Sequence, residues 1–483
     1  MPSTPAPSFG RRPRIAVIGA GISGLAAGWK LRNTAPDVDF TIFEKADRVG
    51  GIIGTRKVGD FLCELSVDNF ITTAPHGLDL CKELGFESEL QSTNNQYRRT
   101  FVVRNRKLYP LPDGFMTMAP TKFYPMIVTP LLTPWGKLRC GLELLLPRRK
   151  SDEEESLASF ATRRLGKEAF ERIIEPLVGG IYGGDAAKLS LQATLPRFAE
   201  MEKKDRSLIW SMKKSMKKAR ADKRQEESGA RYSFFITLKC GLQELTERLA
   251  DRIGRDRIAL NHAITRVEHA QEGGWNLFNA DEPPERFDAV VFATDSGAAS
   301  KALYWANPEA AEIYGQTDHT GVAIIHLAYE NDQIGKPMQG MGFVVPTSEG
   351  NGVIAGSFSS HKYPTRAPEG KTLLRIFVGG SRAPEMVGLP DDELIRRVHQ
   401  EMQTLLDVKG EPIFTDVAKF PSAMPQYYLG RLAWRENLQE ALEKTPTIAL
   451  AGNALEGVGL PTCVKSGYDA VESVLAALTP EQG

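Results

Sequence analysis

The sequence predicts an α/β protein. A Rossmann-like dinucleotide-binding domain is assembled from separated stretches and joined to an antiparallel-sheet domain and a small helical domain. Three observations predict it. Arg14-Ile-Ala-Val-Ile-Gly19-Ala20-Gly21-Ile22-Ser23-Gly24 sets an apolar strand before a G-x-G-x-x-G turn and a small-residue helix. Asp39-Phe-Thr-Ile-Phe-Glu44 is a second apolar strand ending in a carboxylate, about 20 residues after the last glycine, as the dinucleotide fingerprint requires. Far downstream, Thr447-Ile-Ala-Leu-Ala-Gly452-Asn453 is a further strand running into glycine-rich Gly457-Val458-Gly459-Leu460.

Each position in the first turn has a physical task. Gly19 allows the tight turn, Gly21 lets the backbone approach a pyrophosphate, and Gly24 lets helix and strand pack closely. Ala20, Ile22 and Ser23 complete the loop, whose helix N-terminus offers N–H groups to phosphate. Glu44 can accept from ribose hydroxyls. Next come Lys45, Arg48-Val-Gly50-Gly51 and Ile52. The paired glycines let this loop lie close to a ligand, and Arg48 is expected to meet phosphate.

Residues 75–84 read as a helix closed by Gly85. Residues 101–104 and 107–110 read as a hairpin turning at Asn105-Arg106. In 110–147, Pro112, Pro120, Pro125, Pro130, Pro134 and Pro147 interrupt Phe115, Met118, Phe123, Tyr124, Ile127, Trp135 and a late Leu run. Short helices fit this pattern better than strands. They are expected either as a lid packed on another domain or as a surface dipping into one membrane leaflet.

Residues 156–174 read as one amphipathic helix without a capping box, and 175–185 as a glycine-rich loop that breaks it. The stretch 203–231 is rich in Lys and Arg and is expected as a solvated face, with an anionic surface as its alternative partner. Residues 241–253 read as a helix and 258–267 as a strand. Residues 287–294 read as a buried parallel strand at an edge of the first sheet. Residues 322–377 alternate short strands with Gly/Pro turns, the pattern of an antiparallel sheet, and 466–478 read as the last helix.

Composition excludes several classes. The 483 residues imply two or three domains. Lys+Arg and Asp+Glu balance at 60 each, so no global field draws nucleic acid. The five cysteines are scattered without metal-like spacing, which fits a reducing compartment and no bound metal. No window of the sequence is long and apolar enough to span a bilayer. A cytoplasmic location, with peripheral contact at the inner face of the cell membrane, is the expectation.

Together these segments resemble the flavin-dependent protoporphyrinogen oxidases, in the bacterial type shared with coproporphyrinogen III oxidases. The generic part, shared with amine oxidases and phytoene desaturases, is the turn at 19–24, Glu44 and Asp47-Arg48-Val-Gly50-Gly51. The specific part is Ile174-Glu-Pro-Leu-Val-Gly-Gly-Ile-Tyr182-Gly-Gly-Asp185 with Lys188-Leu-Ser190, then Leu238-Lys-Cys-Gly241-Leu-Gln243, Ala423-Met-Pro-Gln426-Tyr and Gly452-Asn-Ala-Leu-Glu-Gly457-Val-Gly459-Leu-Pro with Cys463 and Ser466-Gly467. The resemblance covers nearly the whole chain.

It implies FAD, held by 19–24, Glu44, Lys45, Arg48, 50–52, Ser66, Val67, Asp68, Asn69, Val267, Gly452, Asn453 and 458–460. Where the family usually has Gly-Pro-Asp-Ser or a near variant, this chain has Ser66-Val67-Asp68-Asn69, so backbone contacts are expected there rather than side-chain ones. It implies an FAD domain at 10–66, 230–300 and 446–483, a substrate domain at 67–109 and 301–445, and a helical domain at 110–229. Arg99, with Arg98 as rival, matches an arginine thought to hold a substrate propionate. No catalytic base is implied, because the cofactor carries the hydride chemistry. His326, Tyr182 and Met341 read as packing residues.

The implied reaction is oxygen-dependent oxidation of protoporphyrinogen IX, six electrons leaving through FAD in three rounds, with coproporphyrinogen III as the alternative. The absence of a basic residue in Ile71-Thr-Thr-Ala74 leans toward the first. An amine oxidase or desaturase is the same-fold rival, and a non-catalytic porphyrin carrier the rival of another class. The expected partners are a porphyrinogen and molecular oxygen, with lipid contact and a homodimer left open.

Overall fold

The computed structural model describes residues 11–225, 234–280, 282–350 and 352–479. Five parallel strands form its first sheet, in the order Ile258–Ala259, Asp39–Phe43, Arg14–Ile18, Ala289–Phe292, Ile448–Leu450. Arg14–Ile18 is central and pairs in parallel on both sides. Parallel strands need crossover connections and bury both faces. The helix Ile22–Thr34 supplies the first crossover, and long insertions separate the others.

Two sequence expectations change here. The strand within 287–294 is not an edge, since Ile448–Leu450 lies outside it. Its residues Ala289, Val290, Val291 and Phe292 are all buried, which is what an interior position demands. The stretch 258–267 is two strands separated by a turn at Asn261, whose φ is 55°. Ile258–Ala259 joins the parallel sheet, and Ile264–His269 opens a separate antiparallel sheet with Trp275–Asn279 and Glu285–Phe287.

The last helix, Leu460–Leu478, starts before Ser466 because Pro461 fits the first turn, where an N–H would be unpaired anyway. It lies tightly on the first helix. A Cβ on Gly467 would come within 2.2 Å of the Ser23 carbonyl oxygen.

The second sheet has seven strands, in the order Phe414–Pro425, His319–Glu330, Lys371–Gly379, Val353–Phe358, Gly342–Val344, Thr100–Arg104, Lys107–Pro110. It is mixed rather than purely antiparallel, because Gly342–Val344 pairs in parallel with Thr100–Arg104. The hairpin turn falls at Asn105 and Arg106, with φ of 49° and 58°, as a two-residue primed turn requires.

Short helices do dominate 110–147, at Phe123–Val128 and Pro134–Gly141, beside a small strand pair, Phe115–Met116 with Ala119–Pro120. The helix expected over 156–174 stops at Leu165, because Gly166 adopts a φ of +94°. Ser156 caps it, accepting from the Ser159 N–H. Helical structure resumes and runs from Lys167–Ala169 through a π-helical turn, Phe170–Ile174, into Glu175–Tyr182. The expected 175–185 loop is therefore helical to Tyr182. Pro176 occupies the start of that final segment, and Gly183, left-handed at φ 58°, ends it. The basic stretch is helical over Leu208–Gln225. Residues 226–231 and the side chains from Lys218 onward lie outside the described residues. Among the described residues, no helix is long and apolar enough to cross a membrane.

Candidate cofactor and substrate site

The first turn behaves as its spacing demands. Gly19 has φ +105°, and a Cβ there would approach the Ala293 oxygen to 2.7 Å. A Cβ on Gly24 would sit 1.8 Å from the Gly19 oxygen. Gly21 differs, because nothing lies within 4 Å of its would-be Cβ. That open space fronts the N-terminus of Ile22–Thr34, which has no side-chain cap. Uncapped first-turn N–H groups facing empty space suit a pyrophosphate.

Glu44 is buried. Its carboxylate accepts from the Ala20 N–H at 2.8 Å and the Ala46 N–H at 2.9 Å. Each oxygen retains a lone pair for a ribose hydroxyl. The Gly50 N–H donates to the Ala20 oxygen at 2.8 Å, and Gly51, at φ +58°, lies against Gly21. Arg48 donates to the carbonyls of Val49, Gly51 and Ile53. The guanidinium expected to meet phosphate therefore first braces its own loop. Lys45 and Ile52 are exposed beside it.

Ser66 Oγ donates to the Ile52 carbonyl at 2.6 Å and ties the 66–69 segment to this loop. Val67 packs on the core of the parallel sheet, and Asn69 donates to Asp68. Lys362 Nζ lies 3.0 Å and Arg375 Nη1 3.6 Å from the Asp68 carboxylate. Burial pushes the Asp68 acid up, but Lys362 and then Arg375 outweigh it and hold it below the ordinary carboxylate range.

From the far end of the chain, Gly452 has φ +133° and donates its N–H to Ser466 Oγ. Asn453 donates to the Ala423 carbonyl and accepts from the Tyr427 hydroxyl. Gly459 begins Leu460–Leu478 without a side-chain cap, a second open helix N-terminus flanked by Val458 and Leu460.

The turn at 19–24, the 44–52 loop and Gly452 thus gather at the carboxyl ends of parallel strands. This is where ligands bind open α/β sheets. Val267 is fully buried beside Phe43, which leaves only its backbone to a ligand. Arg99 is exposed at the start of Thr100–Arg104, on the other sheet. Arg98 is occupied by Asn95.

These residues fit an elongated dinucleotide held from both ends of the chain. The chain matches the model of the flavin containing amine oxidoreductases over residues 22–475. It belongs to that family. It is an FAD-dependent oxidoreductase, and FAD when bound supplies two-electron hydride chemistry. The likeness to porphyrinogen oxidases read from the sequence is borne out. The chain is 34% identical to coproporphyrinogen III oxidase of Staphylococcus aureus, over 96% of this chain and 99% of that one. It is 26% identical to protoporphyrinogen oxidase 2 of Arabidopsis thaliana, over 96% and 94%. Among solved structures, a candidate protoporphyrinogen oxidase from Exiguobacterium superposes with a TM-score of 0.85 at 28% identity, covering 96% of this chain and 99% of that one.

Sequence reasoning read His326 as a packing residue but missed the charged groups around it behind 66–69. Glu64, His326, Arg366 and Arg375 are all buried there. Burial, then Arg375, push the His326 imidazole down to about 3, so it is neutral. The Glu64 backbone and the Asp68 charge oppose this, while the Asp416 carboxylate, 3.3 Å from Nδ1, is paired with Arg56. A usable signal existed in Lys371-Thr-Leu-Leu-Arg375-Ile-Phe-Val, where an arginine interrupts an apolar strand. Tyr182 is tied to the Thr194 carbonyl, and its ring meets Tyr427 edge-on at 6.2 Å.

Proposed function

We propose that this enzyme oxidises coproporphyrinogen III to coproporphyrin III in haem biosynthesis, with molecular oxygen as the acceptor. The near full-length likeness to the Staphylococcus aureus coproporphyrinogen III oxidase carries the reading. Six electrons and six protons leave the macrocycle in three rounds, and three oxygen molecules become three of hydrogen peroxide. The chain's own tasks are to hold the macrocycle's carboxylates, align a bridging carbon with the cofactor and exclude water.

Two cations support a carboxylate-rich substrate. Among the described residues, neither Arg99 nor Arg197 forms an ion pair with a carboxylate, although Arg99 lies within electrostatic range of Asp113. Arg197 rests over the Phe198 ring at 4.7 Å, and burial lowers its pKa while the neighbouring Tyr182 opposes. A guanidinium without an acid of its own is suited to grip a propionate. The lean toward protoporphyrinogen IX drew on 71–74 alone, whereas Arg197 lies on another element, the helix Pro196–Asp205, beside Tyr182. Protoporphyrinogen IX stays as the second reading, supported by the Arabidopsis relative.

Rates on both substrates with purified protein test this. A kcat/KM about tenfold or more higher for coproporphyrinogen III is expected, and equal or reversed preference overturns the choice. A porphyrin carrier would bind product yet leave its flavin unbleached by porphyrinogen under anaerobic conditions.

We read residues 10–66, 230–300 and 446–483 as the FAD domain, 67–109 and 301–445 as the substrate domain, and 110–229 as the helical domain. The helical part is proposed to rest on a lipid leaflet. Its side chains Tyr124, Ile127, Trp135, Leu138 and Leu145 are exposed, Trp135 to 79%, and Lys137 and Lys213 lie nearby. An apolar patch with aromatic residues and a cationic rim suits a headgroup boundary.

A further inference from the structure

A closed polar chamber lies behind the 66–69 segment, lined by Glu64, Asp68, His326, Tyr363, Arg366 and Arg375. Its volume is about 10 Å³, room for a single water. Both His326 ring nitrogens, the Tyr363 hydroxyl and Arg375 Nε lack a hydrogen-bond partner, although their residues are 0%, 1% and 3% exposed.

The charges around it do not cancel. Arg366 lies 3.1 Å from Glu64, and Arg56 takes Asp416. Asp68 is shared by Lys362 and Arg375. Four cations thus face three carboxylates, and neutral His326 adds nothing. Burial raises the Glu64 acid against the pull of Arg366; were Glu64 protonated, the positive excess would only grow. Sheet register fixes this arrangement, with His326 directly opposite Arg375 on one side and Asp416 on the other. Arg375 reaches out of the chamber, donating an Nη2 hydrogen bond to the Ser66 carbonyl.

We propose that this chamber sets the electron affinity of the bound FAD, its excess positive charge acting through Ser66 and Asp68 to favour the reduced, more electron-rich flavin. The inference rests on the reading that 66–69 lies along the cofactor. A charge in a buried, weakly screened setting acts over several ångströms. Charge near the flavin ring is a recognised lever on its electronics. Arg375 is a positioning residue here, since it works through the segment rather than by touching the flavin.

The test is the midpoint potential of purified, FAD-loaded protein, followed spectroelectrochemically. Arg375→Gln and Lys362→Met should each lower it, and Asp68→Asn should raise it. Lys362 and Asp68 are both more accessible than Arg375, at 15% and 20% against 3%, so Lys362→Met and Asp68→Asn decide the matter if Arg375→Gln fails to fold. An unchanged midpoint in flavin-loaded variants, or shifts of the same sign for Lys362→Met and Asp68→Asn, overturns the chamber's role alone. Protein that takes up no FAD overturns the cofactor site beneath it as well.

Discussion

Gly21 and Gly24 hold different places in the fingerprint, and the space around them differs with their separate roles. Gly24 has the Gly19 carbonyl against it, so any side chain must force turn and helix apart. Gly21 has φ −68° and open space, so an alanine there disturbs only what would occupy that space. Gly21→Ala should therefore leave the apo unfolding midpoint within about 0.5 kcal/mol of the parent while sharply reducing retained FAD. Gly24→Ala should lower apo stability itself. Thermal unfolding of stripped protein, paired with flavin content after purification, reads both; a Gly21→Ala protein with full flavin content would refute the pyrophosphate reading. At this scale the glycine turn and Glu44 were legible, because their task is local and their spacing encodes it. The charged groups around Arg375 were not, because Asp68, His326 and Asp416 meet it only through strand pairing and long-range packing.

Among elements, the strands of the parallel sheet were legible as apolar runs, and their order was not. Nothing in Ile448–Leu450 says that it lies outside Ala289–Phe292 until the sheet is assembled. The helical region was the least legible. The 156–174 pattern hid a break at Gly166, and the group that joins its helices is a single carboxylate far away in sequence. Glu143 is fully buried, pairs with Arg164, and accepts from Ser207 Oγ at 2.6 Å and the Leu208 N–H at 2.7 Å. It thereby caps the helix Leu208–Gln225 with an anion where the helix dipole favours one. Glu143→Ala would strand the Arg164 charge with only the more distant Glu202 at 3.5 Å. A loss of about 3–5 kcal/mol is expected for breaking such a pair, with Glu143→Gln losing less because it keeps an acceptor. Denaturant unfolding measures it, and a loss under about 1 kcal/mol for Glu143→Ala would show that the pair does not hold these helices together.

At the scale of the whole molecule, the parallel sheet carries the candidate cofactor site, the seven-stranded sheet is proposed to carry the substrate, and the helical part turns an apolar face outward. The proline-broken apolar run at 110–147 was legible as amphipathic helices, but which side they would bury was not. In the structure Met126, Leu131 and Leu132 turn inward, while Ile127, Trp135 and Leu138 stay out. Each large apolar side chain removed from water contributes about 1.5–3 kcal/mol, so a few suffice for reversible attachment to a leaflet. The double variant Ile127→Ser with Trp135→Ser changes only exposed positions and should keep the flavin spectrum and thermal midpoint of the parent. Its binding to vesicles of phosphatidylcholine with phosphatidylglycerol, measured by co-sedimentation, should fall at least about tenfold. Parent binding should also weaken when phosphatidylglycerol is left out, because the lysines at the rim then lose their counter-charge. A parent protein that stays in the supernatant with both vesicle types would remove the lipid reading. If it also elutes as a dimer that the double variant breaks, the same face belongs instead to a second copy of the chain.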